Sequence, residues 1–219
     1  TTLWDYPSQH YGQGTQGSAR YRGATPSYAI WNVFERYTRP GDTVLDPMCG
    51  SGTTLDVAKD MGRLGIGLDL CPFRDDIEQA DARSLPLESG SVDCIFVDPP
   101  YSDNLTYSDD PRCIGKLNAL DPAYFDALAQ VFRECHRVLR NRRYMAVYIC
   151  DYFSKKKGFV PIGAQCIQML GERFRLIDHV CVVRHNRQLK HGSRKKAAVD
   201  GNFYLRGFNH LILVKKEES

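Results

Sequence analysis

Asp98-Pro99-Pro100-Tyr101 places a carboxylate, two residues without a backbone donor and an aromatic ring in four consecutive positions. Proline fixes φ and lacks an N–H, so the pair makes a stiff turn whose carbonyls stay free to accept hydrogen bonds. An acid on one side and a ring on the other complete an acceptor-lined slot. A planar ring bearing an exocyclic amino group fits such a slot, and that description points to a nucleobase.

A second cluster is Asp46-Pro47-Met48-Cys49-Gly50-Ser51-Gly52-Thr53-Thr54. Gly50 and Gly52 let the backbone approach a ligand, and three hydroxyls stand beside the start of a helix. The Lys of a phosphate-binding P-loop is missing, and so is the third glycine of a dinucleotide fingerprint, which argues against nucleoside triphosphates and NAD. Asp69-Leu70 follows at the end of the next apolar run, where a carboxylate suits a ribose. Asp81-Ala82 follows a third run, where an acid and a small residue suit an adenine ring. Either acid alone reads as a turn or cap residue; their order behind a Gly loop favours a nucleoside site.

Both clusters need strands to hold them. Val92 to Val97 is a short apolar run of the kind found in buried parallel strands, and it leads directly into the Pro-Pro turn. Strands are predicted over Thr43–Asp46, Leu64–Asp69, Ile77–Ala80, Cys94–Val97 and Tyr144–Cys150. Helices are predicted from a start at Thr25-Pro26-Ser27 to a stop at Arg39-Pro40-Gly41, and over Thr53 to Asp60, Tyr124 to Leu139 and Pro161 to Gly171. Ile177–Val183 and Phe203–Val214 read as a closing antiparallel pair with no helix between them. The alternation implies an α/β fold, a doubly wound Rossmann-like sheet, mostly parallel with a C-terminal antiparallel hairpin. Residues 1–24 read as an irregular arm whose Trp4, Tyr6, Tyr11 and Tyr21 either pack it onto the domain or meet a ligand, and 25–219 as a single domain without a separate target-recognition domain.

Together the two clusters resemble the S-adenosylmethionine-dependent amino-methyltransferases that act on DNA adenine-N6 and cytosine-N4. Asp46 to Thr54 is similar to their DPFxGSGTT loop, Asp98 to Tyr101 to their (D/N/S)PPY turn, and Thr25-Pro26-Ser27 to the segment flanking their cofactor. The resemblance covers roughly Thr25 to Cys150. It implies S-adenosylmethionine as methyl donor, held by Thr25, Pro26, Asp46 to Thr54, Asp69, Leu70, Asp81 and Ala82. It also implies a base flipped out of the duplex, with Tyr101 stacking on it and Asp98 and the Pro99 carbonyl accepting from its amino group. Asp as the first residue of the turn tilts the target toward adenine. The cofactor loop precedes the PPY turn, the reverse of the commonest small arrangement. Asp81 to Tyr101 is also similar to archaeal-type tRNA guanine-N2 methyltransferases, so RNA is the alternative substrate; a non-catalytic nucleic-acid-binding subunit is the alternative from another class.

Composition adds limits. The net charge is only +3, but Arg184 to Lys196 carries six Lys/Arg and no acid. Arg184, Asn186, Arg187, Lys190, Arg194, Lys195 and Lys196 are therefore the expected nucleic-acid contacts, against the plainer reading of a solvated hairpin loop. Tyr107, Arg112 and Lys116, just beyond the PPY turn, would border the base or form a lid over the cofactor. Lys155-Lys156-Lys157 is a third basic cluster. Eight cysteines are scattered singly, with no CxxC pair, which predicts reduced thiols and no structural metal. Cys49 and His136 read as packing residues. No signal peptide or membrane-length apolar stretch is visible, so a cytoplasmic protein is expected.

Overall fold

Val92–Val97 (β5) is buried along its whole length, including Asp93, and occupies the middle of the sheet. A computed structural model describes residues 1–18, 20–154, 157–185 and 193–218. The strands are Leu3–Trp4 (β1), Thr43–Asp46 (β2), Leu64–Asp69 (β3), Glu78–Gln79 (β4), β5, Leu139–Ile149 (β6), Tyr152–Ser154 (β7), Gly158–Val160 (β8), Arg175–Val183 (β9) and Phe208–Lys215 (β10). The α-helices are Ser27–Tyr37 (α1), Thr53–Asp60 (α2), Pro122–Val138 (α3), Ile162–Gly171 (α4) and Ser193–Asp200 (α5).

Eight strands form one sheet in the order β1-β9-β10-β6-β5-β2-β3-β4, and β7 pairs with β8 apart from it. Neighbours from β6 through β4 run parallel, whereas β10 is antiparallel to both β6 and β9. Alternation along the central strands divides the core. Leu45, Ile95, Val97 and Met145 face α3 and α4. Val44, Cys94, Phe96 and Ala146 face α1 and α2. This is the doubly wound, mostly parallel sheet the sequence predicts.

The chain leaves β2 toward β3 and β4 and then returns to β5 on the other side of β2. That reversal opens a crevice outside the carboxyl ends of β2 and β5, the place where open α/β sheets bind ligands. The Gly-rich loop follows β2 and the Pro-Pro turn follows β5, so both chemical clusters meet there.

Four local expectations are corrected. A helix, α5, lies between β9 and β10, and β10 begins at Phe208 rather than Phe203. Its sequence, SRKKAAVD, has good helix formers but no apolar face, so hydrophobic periodicity gave no sign of it. β6 starts at Leu139, directly from α3, through a polar stretch in which Arg142 takes φ 66° and the register to β5 shifts. The arm contains β1, which extends the sheet parallel to β9. The β7–β8 hairpin was also not foreseen, being two three-residue strands.

All eight cysteines are unpaired thiols, and only Cys71 is exposed. No helix among the described residues is long and apolar enough to cross a membrane.

Candidate active site

Asp46 ends β2 almost fully buried, and its carboxylate organises the Gly-rich loop. Oδ1 accepts from the Met48 amide at 3.0 Å, and Oδ2 from the Thr54 hydroxyl at 2.5 Å. Burial pushes its pKa up to about 7 against these two hydrogen bonds. Asp69, at the end of β3, accepts from the amides of Gly50 and Cys71, both at 2.9 Å, and burial raises it too. One carboxylate therefore fixes two ligand-facing loops. Gly50 has φ 47°, and a Cβ there would come within 2.9 Å of the Tyr21 ring, so glycine is required twice over. Cys49 is buried, and burial raises its thiol well above the usual range, as suits a packing residue.

These groups line one cavity at the carboxyl edge of the sheet. Of the residues read as cofactor-binding, Thr25, Asp46 through Ser51, Thr53, Thr54, Asp69, Leu70, Asp81 and Ala82 all face it. Gly52 sits behind the wall at φ 77°, where Arg74 packs against it and bonds its carbonyl. Pro26 faces a second cavity. The Arg83 guanidinium grips Asp81 at 2.9 and 2.7 Å and holds its carboxyl below the usual range.

Asp98 is shared by the two cavities. Oδ2 accepts from the Thr25 hydroxyl and Oδ1 from the Tyr101 phenol, each at 2.5 Å. Burial nevertheless lifts its pKa to about 7, with a smaller push from Asp46. The turn is braced from outside: Tyr124 donates its hydroxyl to the Pro100 carbonyl at 2.7 Å. Ser102, the next residue, takes φ 65° while its buried hydroxyl accepts from the Ala119 amide at 2.8 Å. A positive φ at a non-glycine residue is sterically costly, and the surrounding bonds hold it in place.

The second cavity lies between the arm, through Tyr6, Ser8 and Gln9, and the ends of the antiparallel strands, through Val182, Arg184 and Asn209. Tyr101 and Tyr148 supply rings to it. Asn209 Nδ2 donates to the Tyr101 hydroxyl at 3.3 Å, while its buried Oδ1 has no partner. Arg184 packs its guanidinium on the Cys150 sulfur at 3.2 Å. The sequence reading did not single out Asn209 or Tyr148; of the arm aromatics it left open between packing and ligand contact, Tyr6 lines this cavity. Tyr21, another of those arm aromatics, lines the first cavity, covers the Gly loop and packs edge-on against Phe73. Tyr21 is one of several arm tyrosines, and nothing local marks which of them meets the loop.

The expected nucleic-acid contacts separate into groups. Arg184 lines the second cavity, while Tyr107 and Arg112 line the first. Arg112 is paired with Asp110 at 2.7 Å, and Lys116 bonds the Asp109 carbonyl. Arg194, Lys195 and Lys196 stand exposed on α5. Asn186, Arg187, Lys190, Lys155 and Lys156 lie outside the described residues. His136 is half-buried against the Phe174 ring, and burial lowers its pKa.

The fold is the Rossmann-like one of S-adenosylmethionine-dependent methyltransferases. It matches such an enzyme from Methanosarcina mazei at TM-score 0.53 and 14% identity, covering 85% of this chain and 98% of that one. It matches TrmN from Thermus thermophilus at TM-score 0.57 and 18% identity, covering 89% and 50%. Within that class, residues 1–77 match the family described as DNA methylase, the arm included. Type II methyltransferase M.BsoBI of Geobacillus stearothermophilus is 43% identical over 55 residues, which is 25% of this chain and 11% of that protein. Type II methyltransferase M2.DpnII of Streptococcus pneumoniae is 48% identical over 44 residues, 20% of this chain and 16% of that protein. These matches therefore span less than a fifth of the length of either curated relative. They bear out the resemblance to the adenine-N6/cytosine-N4 amino-methyltransferases.

Proposed function

We propose that the protein transfers a methyl group from S-adenosylmethionine to an exocyclic amino group of a base flipped out of DNA, with adenine-N6 favoured over cytosine-N4. The observation that carries this reading is the meeting of two cavities at one carboxylate, Asp98, with a nucleoside-type acid set on one side and an aromatic-walled space on the other.

The residues of the first cavity fit the cofactor. Asp46, Asp69, Asp81 and Asp98 face a single space, a charge set suited to a cationic ligand, and Gly50 keeps the loop free of a Cβ. Asp69 and Asp81 would hold the nucleoside, and Asp46 through Thr54 the amino-acid end. The cofactor supplies an electrophilic methyl on a sulfonium.

The rest is done by this chain. Each carboxylate oxygen of Asp98 receives one hydroxyl, and a carboxylate has roughly four acceptor sites, so capacity remains for an amino N–H. Accepting that hydrogen bond aims the nitrogen lone pair out of the base plane. The stiff turn holds the amino group still while Tyr101 and Tyr148 present ring surface to the base.

Transfer of labelled methyl to duplex DNA and to tRNA, followed by digestion to nucleosides, tests the reading. N6-methyladenine in DNA is the expected product. N4-methylcytosine alone would remove the adenine preference, and label in tRNA alone would move the substrate to RNA.

The raised carboxyls carry a second test. Asp46 and Asp98 have folded pKa values of about 7, above the ordinary Asp value. Folding therefore favours their protonated forms, and the stability they contribute is lost as pH rises from roughly 4 through 7. A cation bound among them reverses that preference. Calorimetry of S-adenosylmethionine binding near pH 6.5, in two buffers of different ionisation enthalpy, should show proton release that fades above about pH 8. Equal heats in both buffers would contradict it. The cofactor should also raise the melting temperature more at pH 8 than at pH 5.

A further inference from the structure

Residues 194–207, ahead of β10, pack against strands β7 and β8 and leave an aromatic and basic surface that the proposed site does not use. Phe203 stacks on Phe153 with ring centroids 4.0 Å apart and planes 13° from parallel. The Arg206 guanidinium lies 5.0 Å over the Phe159 ring. Ala198 is buried beneath α5, and its carbonyl accepts from the Phe203 amide at 2.9 Å, so helix, turn and strands are one packed unit. Arg194, Lys195 and Lys196 of α5 and Lys157, between β7 and β8, are exposed on this unit, as is Asp200 at the end of α5. Two rings stand exposed on the same unit: Tyr204 at 89% and Phe159 at 52%.

The surface is continuous with the second cavity. The Gly207 carbonyl accepts from the Arg184 amide at 2.9 Å, and Arg184 and Asn209 both line that cavity. Three residues span at most about 10 Å, so Tyr204 lies within that reach of the Gly207–Arg184 bond at the cavity wall.

We propose that α5, the Tyr204–Arg206 turn, Lys157 and strands β7 and β8 form one docking surface for duplex DNA at the mouth of the Asp98 cavity. The α5 cations meet phosphates, and Tyr204 wedges into a base step unstacked beside the flipped base. This inference rests on the DNA methyltransferase reading and adds the place where the duplex is held. Cations alone would suit any polyanion. An exposed ring on the same packed unit suits a duplex opened by base flipping, where an unstacked step offers an aromatic face beside the phosphates.

The test uses the full chain and a fluorescent duplex, with binding measured by anisotropy at several salt concentrations. Replacing Arg194, Lys195 and Lys196 together by alanine should make the slope of log K against log salt shallower by about 2 to 3. Tyr204→Ala should weaken binding about tenfold, while Tyr204→Phe, which keeps the ring, stays near wild type. S-adenosylmethionine affinity, measured by calorimetry, should be unchanged in all three and reports an intact fold. An unchanged salt slope with unchanged Tyr204→Ala affinity overturns the surface. Equal losses in Tyr204→Ala and Tyr204→Phe overturn the stacking role. Tighter binding of tRNA than of duplex through the same residues overturns the DNA assignment. A wild-type protein that binds duplex through these residues yet transfers no methyl group sinks the enzymatic reading alone. One that methylates DNA while the variants bind as wild type sinks the surface alone.

Discussion

Asp98→Ala is expected to lower methyl transfer by roughly three orders of magnitude while S-adenosylmethionine affinity changes only a fewfold. The carboxylate is the acceptor at the junction of the two cavities, and its loss removes the group that orients the amino nitrogen. The walls of the first cavity stay in place, because the Gly loop is held by Asp46 and Asp69 rather than by Asp98. Asp98→Asn sharpens the test. It keeps the shape, cannot ionise, and presents one oxygen and one NH2 to Thr25 and Tyr101, which now donate to two oxygens. Burial makes the ionised carboxylate unfavourable in the folded chain, so above pH 7 the amide variant should melt no lower than wild type although its turnover collapses. Single-turnover rates and thermal melts at pH 8 check both halves. Wild-type turnover in either variant would remove Asp98 from the chemistry, and a much lower melting temperature in Asp98→Asn would contradict the electrostatic account.

Asp69→Ala should act on the other side of the site, raising the S-adenosylmethionine dissociation constant by roughly 30-fold or more. Two effects add. A carboxylate facing a cationic nucleoside is lost, and the Gly50 and Cys71 amides are released, each hydrogen bond to a charged group being worth about 1.5–3 kcal/mol. At saturating cofactor the transfer rate should recover to within a fewfold, since Asp98 and its two hydroxyl partners are untouched. Calorimetry and initial rates across cofactor concentrations separate the cases. An unaltered dissociation constant would show that Asp69 only braces the loops.

The central sheet was legible because its signals are local. Val92–Val97 is apolar throughout, Thr43–Asp46 and Leu64–Asp69 are short and bounded by turn residues, and α1 and α3 carry clear apolar faces. Loops between strands and helices of such a sheet open at its carboxyl edge by geometry, so Asp46, Asp69 and Asp98 had to converge. Elements stabilised by tertiary contact were not legible. β1 is two residues long and exists because β9 offers an unpaired edge. Helix α5 has no apolar stripe and is anchored by one buried alanine, with Phe203 stacked beyond its end.

By its own sequence this chain determined the two chemical clusters, the strands that end in them and hence the juxtaposition of a Gly-rich loop with an Asp-Pro-Pro-Tyr turn. Only the tertiary structure decided that Thr25 and Tyr101 both donate to Asp98, and that the arm, with Arg184 and Asn209, walls a second cavity around it. It also decided that Tyr107 and Arg112 face the first cavity. The reason is physical. Strand ends and turns follow from residues a few positions apart, whereas Thr25 and Asp98, or Tyr101 and Asn209, are separated by most of a domain and meet only when the sheet closes.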